Sequence, residues 1–333
     1  MKKTLFLVLI VLVVFSGVVF AQGQKDTPKE SDNLHVALIV KNLSNPFFVY
    51  MKWGGEAAAN KYGVDYTCLA PEQDGNVEAQ IRIMEDLIQK GVDAIVVVPI
   101  DSRGIVAGIE RANKAGVPVF VSNTRALGGE FLSFAGIDHT AMAEEMARYV
   151  VKSLNGKGKV IELEGTTGAQ SSIDRGIGFK NVFSKEPGIE VLTRTTAEYN
   201  KAKAMQVTED LLVRYDDIDA IVAYNDSMAL GAVEALKAAG RLDKVMVTGT
   251  DANKDALDSL RRGELTATVD SNPVAQTFVP VEAAIRYLMY NEIPPAEMIV
   301  GEGKPTIVDQ KNVEAFELQV IENLKGFGVT AEF

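Results

Sequence analysis

From Leu34 onward, short apolar runs alternate with longer segments in which apolar residues recur every three to four positions. The runs read as strands buried on both faces and the periodic segments as amphipathic helices, so their alternation predicts βαβ units around a parallel sheet. Strands are expected at 35–41, 64–69, 94–99, 117–122 and 131–137, with helices at 48–62, 77–90 and 105–115 between them. Gly63 and Gly91 stand where helix C-caps belong. The pattern then restarts, with strands at 159–164, 190–195, 220–224 and 245–249 and helices at 173–184, 202–214 and 227–239. Two α/β units of one design follow each other and read as structural duplicates. No strong residue-level repeat links them, although Gly91 to Val96 and Asp217 to Val222 occupy equivalent places. A further strand at 265–270 and a long helix at 274–290 imply that the chain crosses between the units more than once. The tail, 312–333, reads as a short helix and an extended end.

One stretch sits at the first strand-to-helix turn: Lys41, Asn42, Leu43, Ser44, Asn45, Pro46, Phe47 and Phe48. Loops at the carboxyl edge of a sheet are where open α/β folds bind ligands. Two adjacent aromatics offer flat apolar faces, while Lys41, Asn42 and Asn45 supply polar groups for a small polar molecule. A purely structural reading is equally open from these residues alone: Asn45 as N-cap, Pro46 in the first turn and both phenylalanines in the core.

Composition narrows the class. The chain has 333 residues, 47% hydrophobic and 24% charged, which suits a globular protein of about two domains. Lys2 and Lys3 precede an apolar run ending at Ala21, the pattern of a secretory signal peptide at 1–21, followed by a polar, flexible leader at 22–33. No cysteine lies near the cleavage point, so a lipid anchor is not expected, and the mature protein is expected to be exported. The remainder carries 32 basic and 45 acidic side chains, a surface that repels nucleic acid. The lone cysteine, Cys68, lies in a strand pattern and reads as a buried apolar residue.

Catalytic chemistry finds little support. His35 lies in a strand pattern and His139 at a helix start, neither with a second ligand at metal spacing, so no cofactor or metal is expected. The turns at 156–159 and 165–168 lack parts of a phosphate-binding loop, and Arg175, Gly176, Ile177 and Gly178 fail the dinucleotide spacing. What remains is a set of polar residues at strand ends: Asn123, Arg175, Asn225, Asp226, Asp251 and Asp270, with Lys41 and Asn45. Singly these are usually turn or capping residues. Together they converge, because the carboxyl edges of two sheets can face each other across a cleft. Planar Asn, Asp and Arg groups beside aromatic faces suit a sugar or polyol, whose hydroxyls take paired hydrogen bonds.

Four segments carry a resemblance: Asn45-Pro46-Phe47-Phe48; Asp174-Arg175-Gly176 with Gly178-Phe179; Asn225-Asp226-Ser227-Met228-Ala229-Leu230-Gly231-Ala232; and Gly249-Thr250-Asp251. In these, from Leu34 to about Tyr290, the chain resembles the periplasmic sugar-binding proteins of ribose type, the substrate-capturing components of ABC importers. The resemblance implies two Rossmann-like lobes with parallel sheets joined by a three-crossover hinge, the fold of type I periplasmic binding proteins. It divides the chain into 34–137 plus 272–302 for the N-terminal lobe and 138–271 plus 303–333 for the C-terminal one. It further implies ring stacking by Phe47 and Phe48, hydroxyl recognition by Arg175, Asn225 and Asp251, and an aromatic wall at Tyr199.

Four positions depart from the ribose pattern. Asn123 and Thr124 stand where those binders carry Asp-Arg, Ser271 replaces a glutamine at the second crossover, and Lys41 replaces a small hydroxyl residue. Lys41 is similar to a lysine of arabinose-binding and some autoinducer-binding relatives. The expected function is capture of a monosaccharide or polyol and its delivery, as a monomer, to an ABC permease. The alternatives are a sugar acid or autoinducer-type signal, which the added ammonium favours, feeding uptake or chemotaxis, and a sugar-modifying enzyme. A regulator of similar fold would carry a DNA-binding module where the export segment stands.

Overall fold

The computed structural model describes residues 34–72, 75–301 and 304–329. The expected signal peptide and leader lie outside them. The first unit contains β1 (His35–Ile39), α1 (Pro46–Tyr62), β2 (Asp65–Leu69), α2 (Val77–Gln89), β3 (Ala94–Val97), α3 (Val106–Lys114), β4 (Val119–Ser122) and β5 (Ser133–Gly136). The second contains α4 (His139–Ser153), β6 (Gly158–Glu164), α5 (Gln170–Phe183), β7 (Ile189–Thr196), α6 (Lys201–Arg214), β8 (Ala220–Ala223), α7 (Asp226–Ala238), β9 (Met246–Thr248), α8 (Lys254–Arg261) and β10 (Ala267–Val269). After them come α9 (Pro273–Tyr290), β11 (Glu297–Ile299), β12 (Ile307–Asp309) and α10 (Val313–Gly326).

The strands form two six-stranded sheets of one topology, β2-β1-β3-β4-β5-β11 and β7-β6-β8-β9-β10-β12. The duplication read from the pattern is therefore a duplication of strand order. Every residue of β3, β4, β5 and β8 is buried, as parallel strands covered by helices on both faces require. Pairing is parallel except at one edge, where β12 runs antiparallel to β10. The parallel sheets expected from the pattern are thus present, with one antiparallel edge pair added. A strand arriving from the other lobe through a short link is free of the βαβ crossover that enforces parallel pairing.

Two apolar clusters cover opposite faces of the first sheet, around Phe120 and Met51 on one side and Met84 and Ile109 on the other. The second lobe has a core around Phe179, Tyr224 and Leu257. The chain leaves the first sheet after β5, returns to it at β11 and rejoins the second at β12. α10 starts in the second lobe, burying Val313 and Phe316, and ends against the first. There Leu324 packs with Tyr50 and Val274, and the Phe327 ring lies 4.8 Å from that of Phe278. Among the described residues the tail thus holds a helix that bridges the lobes.

Candidate functional site

The first lobe's part of the site grows from the end of β1. The Asn42 side chain accepts the Asn45 N–H at 2.9 Å, and Asn45 Oδ1 accepts the Phe47 N–H at 3.0 Å. With Pro46 fixing φ at the first helical position, the cap starts α1 two residues before the position the apolar periodicity predicts. Capping and lining the cavity are compatible in this stretch. The cap sets the helix, and Phe47 and Phe48 line the cleft edge to face, centroids 5.1 Å apart and planes at 86°. Lys41 turns inward: its Nζ donates to Thr124 Oγ1 at 2.9 Å and lies 5.4 Å from the centre of the Tyr199 ring in the other lobe. Asn123 has a φ of 58°, a left-handed conformation that Asn tolerates well. Its Nδ2 donates to Gln276 Oε1 at 2.9 Å and its carbonyl oxygen lies 2.9 Å from His139 Nε2.

The second lobe answers from the ends of β6, β7, β8 and β9. Arg175 on α5 donates through Nη1 to the Tyr224 carbonyl, and its Nη2 stands 3.7 Å from Asp251 Oδ1. Asn225 caps α7, accepting the Met228 N–H at 2.9 Å, while its Nδ2 reaches the Tyr199 carbonyl at 3.5 Å. Tyr199 follows Glu198 in the left-handed region, and its ring lies over Gly165, where a Cβ would come within 2.0 Å of the ring. Asp251 accepts from the Ser271 hydroxyl at 3.2 Å.

Lys41, Asn45, Phe47, Phe48, Asn123, Arg175, Tyr199, Asn225 and Asp251 thus surround one small cavity, together with Ser171. Two of the expected residues stand behind the wall: Thr124 under Lys41, and Ser271 under Asp251. Asp226 is also set back, braced by the Thr268 hydroxyl at 2.6 Å and the Asn253 N–H at 2.9 Å. Asp270 uses its carboxylate to hold the Asn272 N–H at 2.8 Å. Both histidines are structural, His35 against Thr67 and His139 against Asn123.

Two residues escaped the sequence reading. Ser171 lies in the first turn of α5, which begins at Gln170 rather than 173 because Ala169 at the N-cap makes no side-chain bond that would mark the start. Its Oγ is 2.9 Å from Thr124 Oγ1 across the cleft. Gln276, buried inside the apolar α9, braces both sides by holding Asn123 and donating to the Ser271 carbonyl. A glutamine within the largely apolar first half of that helix is the signal that marks it.

Burial dominates the electrostatics. Lys41, Arg175 and Asp251 are 6%, 4% and 4% exposed. Desolvation, helped by Arg175, pulls the Lys41 ammonium down to about 7. Desolvation likewise pushes Asp251 up to about 7 against the opposing pull of Arg175. Arg175 Nε and the Tyr199 hydroxyl are buried with no protein partner, and both belong to residues that line the cavity. Beside the cavity the lobes also meet through backbone. The Ser102 N–H donates to the Gly168 carbonyl at 3.1 Å, and the Gln170 N–H donates to Ser102 Oγ at 2.9 Å.

Comparison with known proteins places the chain in a family. The chain is 36% identical over 288 residues to the ribose import binding protein of Bacillus subtilis, covering 85% of this chain and 92% of that one. It is 33% identical over 245 residues to the D-allose-binding periplasmic protein of Escherichia coli, covering 71% and 79%. An ABC transporter solute-binding protein of Bacillus halodurans, solved with bound myo-inositol, superposes with a TM-score of 0.79 at 30% identity, covering 87% of this chain and 99% of that one. These relatives are binding proteins, not enzymes. The family model for the periplasmic binding protein domain matches residues 36–292, and the chain belongs to that family.

Proposed function

We propose that this protein captures a monosaccharide or polyol between its lobes and hands it, unaltered, to the permease of an ABC importer. The observation that carries the reading is the convergence on one small cavity of two phenylalanine rings from one lobe and Arg175, Asn225 and Asp251 from the other. Apolar rings match the C–H face of a sugar, and the planar polar groups match its hydroxyls. The ligand contacts assigned here are Lys41, Asn45, Phe47, Phe48, Asn123, Ser171, Arg175, Tyr199, Asn225 and Asp251, supported from behind by Thr124 and Ser271. Relatives named for ribose and D-allose, and one holding myo-inositol, support this class. The lobes are 34–137 with 272–302 and 138–271 with 303–333, and contacts to both favour the closed form when ligand is bound. The protein acts as a monomer outside the cytoplasmic membrane, exported by the basic and apolar segment ending at Ala21 and carrying no lipid anchor.

A neutral ligand is favoured over a sugar acid because the relatives named for a ligand or solved with one hold neutral sugars or polyols, and Asp251 stands beside Arg175 in the cavity wall. The test is a thermal-shift screen of D-ribose, D-allose, other pentoses and hexoses, myo-inositol, xylitol and sugar acids. A ligand at a hundred times its Kd stabilises the native state by about 2.7 kcal/mol, a rise of several degrees. A shift with sugar acids alone overturns the neutral assignment, and no shift with any member overturns the sugar reading.

A further inference from the structure

The second lobe buries a carboxylate that the cleft does not use. Glu162 lies inside β6, its side chain fully buried, and both of its oxygens are committed. Oε2 accepts the Tyr224 hydroxyl at 2.7 Å and Oε1 accepts Arg194 Nε at 2.9 Å. Neither Glu162 nor Tyr224 lines the ligand cavity. A buried charge is costly, and an apolar pair of similar volume would serve the sheet at least as well. The network therefore calls for a purpose beyond the core.

Tyr224 supplies one, because it meets α5 at three successive points. Its carbonyl accepts Arg175 Nη1. A Cβ on Gly176 would lie 3.2 Å from its hydroxyl, and its ring stacks on Phe179 at 5.2 Å and 17°. The same residue immediately precedes Asn225, which caps α7 and lines the cavity. Arg175 has few other anchors: Nη2 is 3.7 Å from Asp251, too far for a direct hydrogen bond, and Nε has no protein partner. The carbonyl is main chain, held by the Tyr224 N–H bond to the Leu163 carbonyl at 3.0 Å, whereas the ring, held at its hydroxyl by Glu162, packs on α5 at Gly176 and Phe179 and so seats the helix from which the Arg175 guanidinium is aimed.

We propose that Glu162 and Tyr224 form a buried positioning pair that sets the pose of Arg175 and, through it, the affinity of the cleft. The effect on affinity rests on the sugar-binding reading above. The aiming of Arg175 does not. The test uses the full chain labelled with 15N-arginine, in which the Arg175 Nε–H signal is identified by its loss in Arg175→Lys. Tyr224→Phe and Glu162→Leu each remove the bond that holds the ring. Both should shift and broaden the Arg175 signal in the ligand-free protein. By calorimetry both should weaken binding of whichever of D-ribose, D-allose or myo-inositol the wild type takes, by about tenfold, the scale of one hydrogen bond. Glu162→Gln keeps an acceptor for the tyrosine hydroxyl and should leave signal and affinity near wild type. A lower melting temperature with the Arg175 signal unmoved would make the pair merely structural and overturn the proposal. If either disruptive variant fails to fold, the other against Glu162→Gln decides. If wild type takes none of the three sugars, the ligand-free spectra still decide the aiming of Arg175, and that failure counts against the sugar reading.

Discussion

Gly168 is the position where one added methyl should separate folding from closure. It holds a φ of +89°, and an added Cβ would come within 1.9 Å of Asp101 Oδ2 in the opposite lobe. Asp101 has little freedom to yield, since its Oδ1 accepts the N–H groups of Arg103 at 2.9 Å and Gly104 at 2.6 Å. In Gly168→Ala the left-handed backbone costs about 1 kcal/mol whether the lobes are together or apart, a drop of about 3 °C in melting temperature. The clash exists only when the lobes meet. It should break the Ser102 to Gly168 and Gln170 to Ser102 bonds, worth about 1 kcal/mol each, so the closed form loses about 2 kcal/mol and the Kd rises about thirtyfold. Calorimetry with the sugar that stabilises wild type measures the affinity, and small-angle scattering at saturation measures the closure. Asp101→Ser shortens the obstructing side chain while keeping a turn-capping oxygen, so the double variant should recover most of the loss. Wild-type affinity and an unchanged radius of gyration in Gly168→Ala would refute the reasoning.

Three more outcomes follow from the site. Arg175→Ala or Asp251→Ala should abolish measurable sugar binding by calorimetry while far-ultraviolet circular dichroism stays native, because each removes one member of a buried charged pair that faces the cavity. Lys41 is pulled from 10.5 to about 7, so between those values the unfolded chain holds a proton that the folded chain lacks. Its stabilising contribution is full above about 10.5 and falls away as pH drops through 7. Denaturant titrations should show stability rising by a few kcal/mol across that window, at about 1.4 kcal/mol for each step of one in pH, and Lys41→Met should flatten the rise. Gly165→Ala places a Cβ 2.0 Å from the Tyr199 ring, so it should cost about 1–3 kcal/mol of stability, change the near-ultraviolet circular dichroism and lower sugar affinity; retained affinity would show that the ring is no wall of the site.

The parts of this molecule legible in its sequence are those set by local rules. Strands buried on both faces have to be apolar runs, and caps such as Asn45, Asn225 and Gly63 announce themselves by type, so both units and their order could be written down. β11 and β12 were missed because each is a three-residue edge strand with at least one exposed or half-exposed position, and pairing, not composition, defines it. The site divides the same way. Lys41, Asn123, Asn225 and Asp251 follow strands, so a rule about sheet edges finds them. Tyr199 does not: its left-handed backbone and its seat over Gly165 are products of tertiary packing, and only likeness to a family pointed to it. Lys41 marks where reading by residue type stops. Its ammonium suggested a pocket made more positive and a preference for an acid. Packed under Tyr199 and beside Arg175, however, the same side chain is close to surrendering its proton. The charge that Lys41 lends the pocket therefore depends on how tightly its surroundings enclose it.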